Sequence, residues 1–349
     1  MMSKIKGDNV LTIGCDFMPP KGGIAQVIYT YKNEVYDCFH FIKNSGNCSK
    51  FQNVILALQG CLKLFLFIVN HNKIRIVHIH TASFVSFRRA AVFVSISKLF
   101  NRNVILHIHG GGFREYYKTN PKWIKSILDR CDRVIALTDS WQSFFHEIGC
   151  KNVFVVKNII PNPLINNVEK DEMIHLLFLG WIVKEKGIFD IVEVLSEHKK
   201  ECEGKIILHI GGDHEVEKLK HMIALNKLEG IIRYEGWVSG DKKTRLLNIM
   251  DAFILPSYME GLPISILESL SYGKPVITTP VGGIPEVVNQ RNGFFFKPGD
   301  KRELWSIIES IISYPEQLSE KAEAAKSSVK DNMSDAVISQ LKRVYEGLC

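Results

Sequence analysis

Short apolar runs recur along this chain, separated by stretches in which apolar residues return every three or four positions. Val10 to Gly14, Arg75 to His80, Asn103 to His109, Arg133 to Thr138 and Val153 to Val156 read as buried strands of the first half. Ile174 to Gly180, Lys205 to Gly211, Ile231 to Val238, Asp251 to Leu255 and Gly293 to Phe296 read the same way in the second. Helical spacing predicts helices from about Ile24 to Val35, over 51–70, from Phe84 to Phe100, and over 301–313, 316–327 and 333–347. Strands alternating with helices through both halves imply α/β architecture with doubly wound parallel sheets. Two prolines and two asparagines in Asn158-Ile-Ile-Pro-Asn-Pro163 interrupt the pattern and predict an interdomain linker. The domain boundaries expected are 1–160 and 164–330.

The 349 residues give room for two domains, and 46% apolar content with a mean hydropathy of +0.02 fits a globular chain with ample core. Eight cysteines are scattered without a CxxC pair, which suits a reducing cytoplasm better than a disulfide scaffold. The first eight residues carry no apolar stretch or cleavage pattern of a signal peptide. The net charge of +7 is uneven. Residues 1–165 hold 21 Lys/Arg against 9 Asp/Glu, and residues 166–349 hold 23 against 28. A basic first half suggests an anionic partner: membrane lipid, a pyrophosphate-linked acceptor or nucleic acid. No zinc spacing or aromatic RNA-binding motif supports nucleic acid, which is therefore not expected as a partner. The apolar run Val54 to Val69 contains Gln59 and Lys63 and falls short of the ~20 residues that span a bilayer. It and the 84–100 helix, with Arg88 and Arg89, mix apolar faces with basic residues, as interfacial membrane helices do and as core helices flanking a sheet also can.

Two places in the first half carry candidate chemistry. Gly22-Gly23 follows the first strand and precedes a helix, so backbone can approach a ligand there and the helix start favours an anion; a plain turn has the same composition. The spacing is not G-x-G-x-x-G. Period-two alternation puts His107 and His109 on one strand face with three glycines beyond. His109 is best placed to reach a ligand, where a neutral imidazole can bond a hydroxyl or take a proton, unless backbone satisfies it. His78, His80, His107 and His109 lie on two strands with no ligating carboxylate in view, so no metal site is expected.

The second half is organised around Pro256 to Val288. A strand ends at Leu255, Glu260 lies in a loop, and Pro263 can open a helix because a first-turn residue needs no N–H partner. Gly273-Lys274-Pro275 closes that helix. The helix start offers amides to an anion, and Glu260 stands beside it. Glu268 sits among Ile264, Ile266, Leu267 and Leu270, where a carboxylate must face a polar partner or water.

Glu260 and Glu268 form an E-x7-E pair. With Pro256-Ser257, Gly273-Lys274-Pro275-Val276 and Gly282-Gly283-Ile284-Pro285-Glu286, the stretch resembles the signature of retaining GT-B glycosyltransferases of the group-1, or GT4, type. A helix–strand unit with surface glutamates is the alternative. The resemblance implies two Rossmann-like domains facing a cleft, the last helix, about 331–349, packing back on the first domain. It implies transfer of a sugar, with retention, from a nucleotide diphosphate-sugar, UDP-sugar favoured, to a hydroxyl of a lipid-linked or cell-envelope glycan. Glu260 is assigned to the donor sugar and Glu268 to the ribose diol; a carboxylate can accept both diol hydrogens. Lys186, Gly261, Leu262 and Pro263 border the diphosphate, Gly236, Trp237 and Val238 the base, and Gly283 and Ile284 the same site. A solvated surface lysine is the less favoured alternative for Lys186. His109, with Glu260 and Lys186, is implied as catalytic, beside the donor sugar and the acceptor, and the cleft loop Gly22-Gly23 lies near the acceptor and the donor phosphate. No Asp-x-Asp motif occurs, so metal independence and no cofactor are expected. The family's arginine after the strand glycine is Trp181 here, and an indole cannot replace a guanidinium fork. The enzyme is expected in the cytoplasm, peripheral on an anionic inner membrane face. A GT-B epimerase or hydrolase, or a non-catalytic partner protein, remains as the alternative.

Overall fold

The computed structural model describes residues 3–348. The chain divides into two units, Met1–Pro161 with Asp331–Cys349, and Asn162–Lys330. Unit 1 holds β1 (Val10–Cys15), β2 (His40–Ser45), β3 (Ile76–Thr81), β4 (Asn103–Ile108), β5 (Arg133–Ala136) and β6 (Val153–Val155), all parallel, in the order β2-β1-β3-β4-β5-β6. Unit 2 holds β7 (Ile174–Leu179), β8 (Ile206–Gly211), β9 (Ile232–Gly236), β10 (Ala252–Leu255), β11 (Val276–Thr278) and β12 (Gly293–Phe295), also parallel, in the order β12-β11-β10-β7-β8-β9. Read from its other edge, unit 2 has the doubly wound 3-2-1-4-5-6 order, whose direction reverses between β7 and β10. Unit 1 reverses between β1 and β3. Ligands in such sheets bind beyond the carboxyl ends of the strands flanking the reversal, so these two strand pairs position the candidate sites.

The strands form where runs of Val, Ile and Leu are buried on both faces. β3 and β8 are buried along their whole length, as crossover helices on both sides require. β2 was not anticipated: its Phe41 and Ile42 are framed by His40 and Lys43, too short an apolar run to stand out, and pairing with β1 decides it. The first helix runs Gly23–Thr30 and continues through a single π turn, Tyr31–Val35, which accounts for the longer helix expected. The 316–327 stretch is two helices, Glu316–Glu320 and Ala322–Ser328, not one.

The segment expected to be the interdomain linker is packed at its start, and the chain divides at Pro161/Asn162 within it. Ile159 and Ile160 are fully buried, the Ile160 amide donates to the Asn332 carbonyl at 3.0 Å, and the Asn332 side chain donates to the Asn158 carbonyl at 2.8 Å. The returning end of the chain therefore clasps this segment within unit 1. The final helix, Ser334–Tyr345, buries Val337, Ile338, Leu341 and Val344 there.

The Lys50–Asn70 helix packs only one narrow stripe on unit 1, through Gly60, Leu64 and Ile68. A Cβ at Gly60 would lie 3.0 Å from both the Lys43 carbonyl and the Phe93 ring, so glycine lets this helix seat against its neighbours. A Ser49–Gln52 capping box starts it. Its opposite face is exposed and apolar.

Candidate active site

In unit 2 the strand ends at the reversal carry a compact charged group. Glu260, 9% exposed, accepts from Lys186 Nζ at 2.5 Å and from Ser257 Oγ at 2.8 Å, all through Oε1. Two glycine turns make this geometry possible. Gly187 has φ +69°, and a Cβ there would sit 2.1 Å from the Pro256 carbonyl oxygen. The 3-10 turn Lys184–Lys186 can therefore cross directly over the strand end and deliver Lys186 to Glu260. Gly282 has φ +59°, and a Cβ would meet the Glu260 carbonyl oxygen at 2.0 Å; the next amide, Gly283, donates to the Gly261 carbonyl at 2.6 Å. Thr278 Oγ1 to the Leu255 carbonyl at 2.8 Å and Thr279 Oγ1 to the Ser257 carbonyl at 2.5 Å hold the loop from β11. The structure thus brings Lys186, Ser257, Glu260, Gly261 and Gly283 to one strand edge. A buried carboxylate with a cation and a hydroxyl on the same oxygen is satisfied in place without being quenched by close burial of more charge.

The helix that follows is Ile264–Ser271, and Pro263 stands at its N-cap with ψ 127°, one position before the first-turn place expected for it. An N-cap residue has non-helical backbone, and proline fits that place because it has no N–H to leave unpaired there. Glu268 is 6% exposed on this helix and accepts from Lys243 Nζ at 2.6 Å. Lys243 comes from the Gly240–Ile249 helix and was not picked out from the sequence; only a Lys242-Lys243 pair on a helix without special spacing announces it. Gly273, φ +73°, ends the helix as expected. Gly236, the last residue of β9 and also at positive φ (+71°), accepts from the Gly212 amide at 2.9 Å, and Trp237 and Val238 follow it at the strand end. Ile284, fully buried, begins a 3-10 turn behind Gly283.

Trp181 follows β7. It is 44% exposed, and its ring lies 4.6 Å from that of His214, itself at φ +98°. As the sequence departs from the resembling family's arginine at this place, the edge presents an aromatic pair, and Lys186 is the cation that reaches Glu260.

In unit 1 the reversal edge carries Gly22, φ +95°, which caps the Gly23–Thr30 helix. His109 lies one residue past β4, and its amide donates to the Thr81 carbonyl at 2.8 Å. The alternation expected for the histidines holds. His80 pairs in register with His107, and the rings of His78, His80, His107 and His109 stack on one sheet face at centroid distances of 4.1 to 5.4 Å. His80 Nδ1 lies 3.0 Å from His109 Nε2, His78 Nε2 3.3 Å from His107 Nδ1, and His78 Nδ1 2.6 Å from the Tyr345 hydroxyl. Burial pulls the His78 and His109 imidazoles down to about 3, the Asn158 side chain partly opposing it at His109, and holds His80 and His107 well below the ordinary range. One ring nitrogen each of His78, His80 and His107 lies within 4.8 Å of the others, closer than their two-strand placement suggested, and among the described residues no carboxylate joins the set. His109 at neutral pH is an uncharged hydrogen-bonding group and a weak base.

Two protein families match the sequence: Glycosyl transferases group 1 over residues 164–328 and Glycosyltransferase Family 4 over residues 41–161. An uncharacterized glycosyltransferase of Methanocaldococcus jannaschii is 25% identical over 73% of this chain and 71% of its own length. The amylovoran biosynthesis glycosyltransferase AmsK of Erwinia amylovora is 24% identical over 67% of this chain, and that match spans 60% of the relative. Among solved structures, Anabaena HepE in complex with UDP and glucose superimposes with a TM-score of 0.76 at 16% identity, over 97% of this chain and 99% of that one.

Proposed function

Given that the chain belongs to the group 1, or GT4, glycosyltransferases and has the GT-B fold, we propose that it transfers a sugar from a nucleoside diphosphate-sugar, UDP-sugar favoured, to a hydroxyl acceptor. The observation that carries this reading is Glu260, held by Lys186 and Ser257 at the strand reversal of unit 2. A departing diphosphate needs little protonation, but its developing charge needs fixed cations and oriented amides. Lys186, Gly261, Leu262 and the start of the Ile264–Ser271 helix supply them, with Pro263 shaping the entry. Glu260 faces the donor sugar, where its carboxylate holds hydroxyls or steadies positive charge growing at the anomeric carbon. Glu268 takes the ribose diol, its oxygen oriented by Lys243. The strand end Gly236-Trp237-Val238 borders the base, and Gly283 and Ile284 the sugar-phosphate. His109 and Gly22-Gly23 take the acceptor side, His109 as a neutral hydrogen-bonding group.

On this reading the reaction retains anomeric configuration, uses no metal ion and no cofactor, and builds a cell-envelope polysaccharide of the O-antigen, capsule or exopolysaccharide kind. The amylovoran relative supports that acceptor class. The acceptor is a glycan or a polyprenyl-pyrophosphate-linked intermediate, met by a cytoplasmic enzyme peripheral on the inner face of the membrane.

The test is transfer from a panel of labelled nucleotide-sugars into lipid-extractable product in a membrane fraction, with the anomer read by NMR. Label in lipid with the donor's configuration supports the reading. Turnover without acceptor favours the epimerase or hydrolase alternative. Absence of both, with a folded protein, favours a non-catalytic partner, for which Trp181 in place of a phosphate-gripping arginine is the motivating feature.

A further inference from the structure

The most unusual surface of the molecule is the outer face of the Lys50–Asn70 helix. Phe51, Val54, Leu58, Leu62, Phe65 and Val69 follow one another at three- and four-residue steps and are each between 46% and 75% exposed. By length and composition this is the one helix among the described residues apolar enough to cross a bilayer, yet only 17% of its most apolar window is buried. It does not have the setting of a spanning helix. Leu64 and Ile68 on its inner stripe belong to the unit 1 core, and Gln59 and Lys63 lie at mid-helix on one flank. The apolar face continues onto the Val85–Leu99 helix. There Val85, Val92 and Leu99, seven residues apart, are 62%, 49% and 78% exposed, and the rings of Phe65 and Phe100 meet at 5.6 Å between the two helices. An exposed apolar surface of this extent marks a binding face.

Charge decides what covers it. From Cys38 to Arg114 the chain has no Asp or Glu, while it carries ten Lys/Arg: Lys43, Lys50, Lys63, Lys73, Arg75, Arg88, Arg89, Lys98, Arg102 and Arg114. Lys43 and Lys98 are neutralised by Asp16 and Asp132 from outside that stretch. Lys50, Lys63, Lys73 and Arg88 are exposed and have no ion pair among the described residues. Two copies of such a face would repel each other. An apolar stripe flanked by unpaired cations matches an anionic bilayer, whose headgroups take the cations while the acyl boundary takes the stripe.

We propose that the Lys50–Asn70 helix, with the outer stripe of the Val85–Leu99 helix, lies in the plane of an anionic membrane and inserts Phe51, Leu58, Leu62 and Phe65 below the headgroups. The proposal deepens the membrane-surface reading above. It makes the attachment chiefly apolar insertion by one helix, rather than attraction at Arg88 and Arg89. Arg89 is in any case half-buried. The helix begins beside the acceptor-side loop: a Cβ on Gly46 would lie 3.6 Å from Leu56 and 3.7 Å from Asp16, which follows β1. A lipid-linked acceptor would thus leave the bilayer next to the loop carrying Gly22-Gly23.

The test is flotation of the full chain with vesicles of phosphatidylcholine alone or mixed with phosphatidylglycerol, at low and high salt. Leu58→Glu/Leu62→Glu is run beside the wild type. Both positions are already exposed, so folding is spared; circular dichroism of the same samples checks this, and calorimetric UDP binding is read alongside as the report on unit 2. The wild type should float with phosphatidylglycerol vesicles and keep part of its binding at high salt, since an apolar contact is not screened. The double variant should bind at least about tenfold less. Three results would overturn the proposal: no flotation of the wild type, equal flotation of the variant, or a vesicle-free dimer that the variant dissolves. UDP binding that persists while flotation fails would remove the membrane face and leave the donor site standing.

Discussion

The two units have the same six-stranded parallel architecture but arm their strand ends in opposite ways. Unit 2 uses ion pairs, Lys186–Glu260 and Lys243–Glu268, with each carboxylate nearly buried and each lysine partly open to solvent. Unit 1 uses neutral imidazoles that meet one another, the Tyr345 hydroxyl, the Tyr31 ring and the Asn158 side chain. The contrast extends to histidines inside unit 2. There His175 and His209 also pair, at 3.0 Å, but Asp171 and Glu235 stand at the two ends of the pair at 2.9 Å each. Burial still lowers the His209 imidazole, with the Glu235 carboxylate opposing it. A shared fold thus fixes where a site can lie, while the side chains at the strand ends decide whether it handles charge or neutral hydrogen bonds.

Removing the charge at the centre of unit 2 breaks the comparison most severely. Glu260→Gln keeps shape but leaves Lys186 without its carboxylate, and turnover should fall by roughly 100-fold or more, read by the transfer assay with folding checked by circular dichroism. Little loss would detach Glu260 from the chemistry.

Acid should break unit 1 next. Its histidines titrate lower when folded than their ordinary 6.5, so the unfolded chain binds more protons below that pH. Stability is full above about pH 6.5 and falls progressively toward pH 3, at up to about 1.4 kcal/mol per pH unit for each imidazole that must take a proton. Urea unfolding followed at several pH values should show this slope, and His78→Gln/His107→Gln should flatten it. An unchanged slope would mean that the stacked histidines are not what acid attacks.

The smallest effect tests the aromatic edge of unit 2. Trp181 is exposed enough for Trp181→Arg to be tolerated. A second cation beside Lys186 should tighten nucleoside diphosphate binding a few-fold, about 1 kcal/mol. Weaker binding would instead make the Trp181–His214 pair part of the donor contact.

How much of this the sequence revealed follows from how local each feature is. Glu260, Glu268 and the glycines around them could be read because a turn at positive φ, a helix start and a carboxylate leave marks within thirty residues. Strands buried on both faces were legible for the same reason. Lys243 was not, because it meets Glu268 from a helix twenty-five positions away whose own pattern is ordinary. β2 was missed because its pairing with β1, and not its own composition, makes it a strand. The histidine block was half legible: alternation placed His107 and His109 on one strand face, but only the register of β3 with β4 stacks His78 and His80 against them. The Lys50–Asn70 helix could be located but not turned, since its apolar residues nearly encircle it and packing alone shows which side is left uncovered.

The central claim is that unit 2 holds a nucleoside diphosphate through Glu268 and the cationic edge around Lys186. Calorimetric titration of the wild type and Glu268→Ala with UDP, GDP, ADP and CMP tests it most directly. The account predicts that one diphosphate, UDP first, binds the wild type and that the variant loses at least about tenfold in affinity. A folded wild type that binds none of the four, or a variant that binds as well as the wild type, would contradict it.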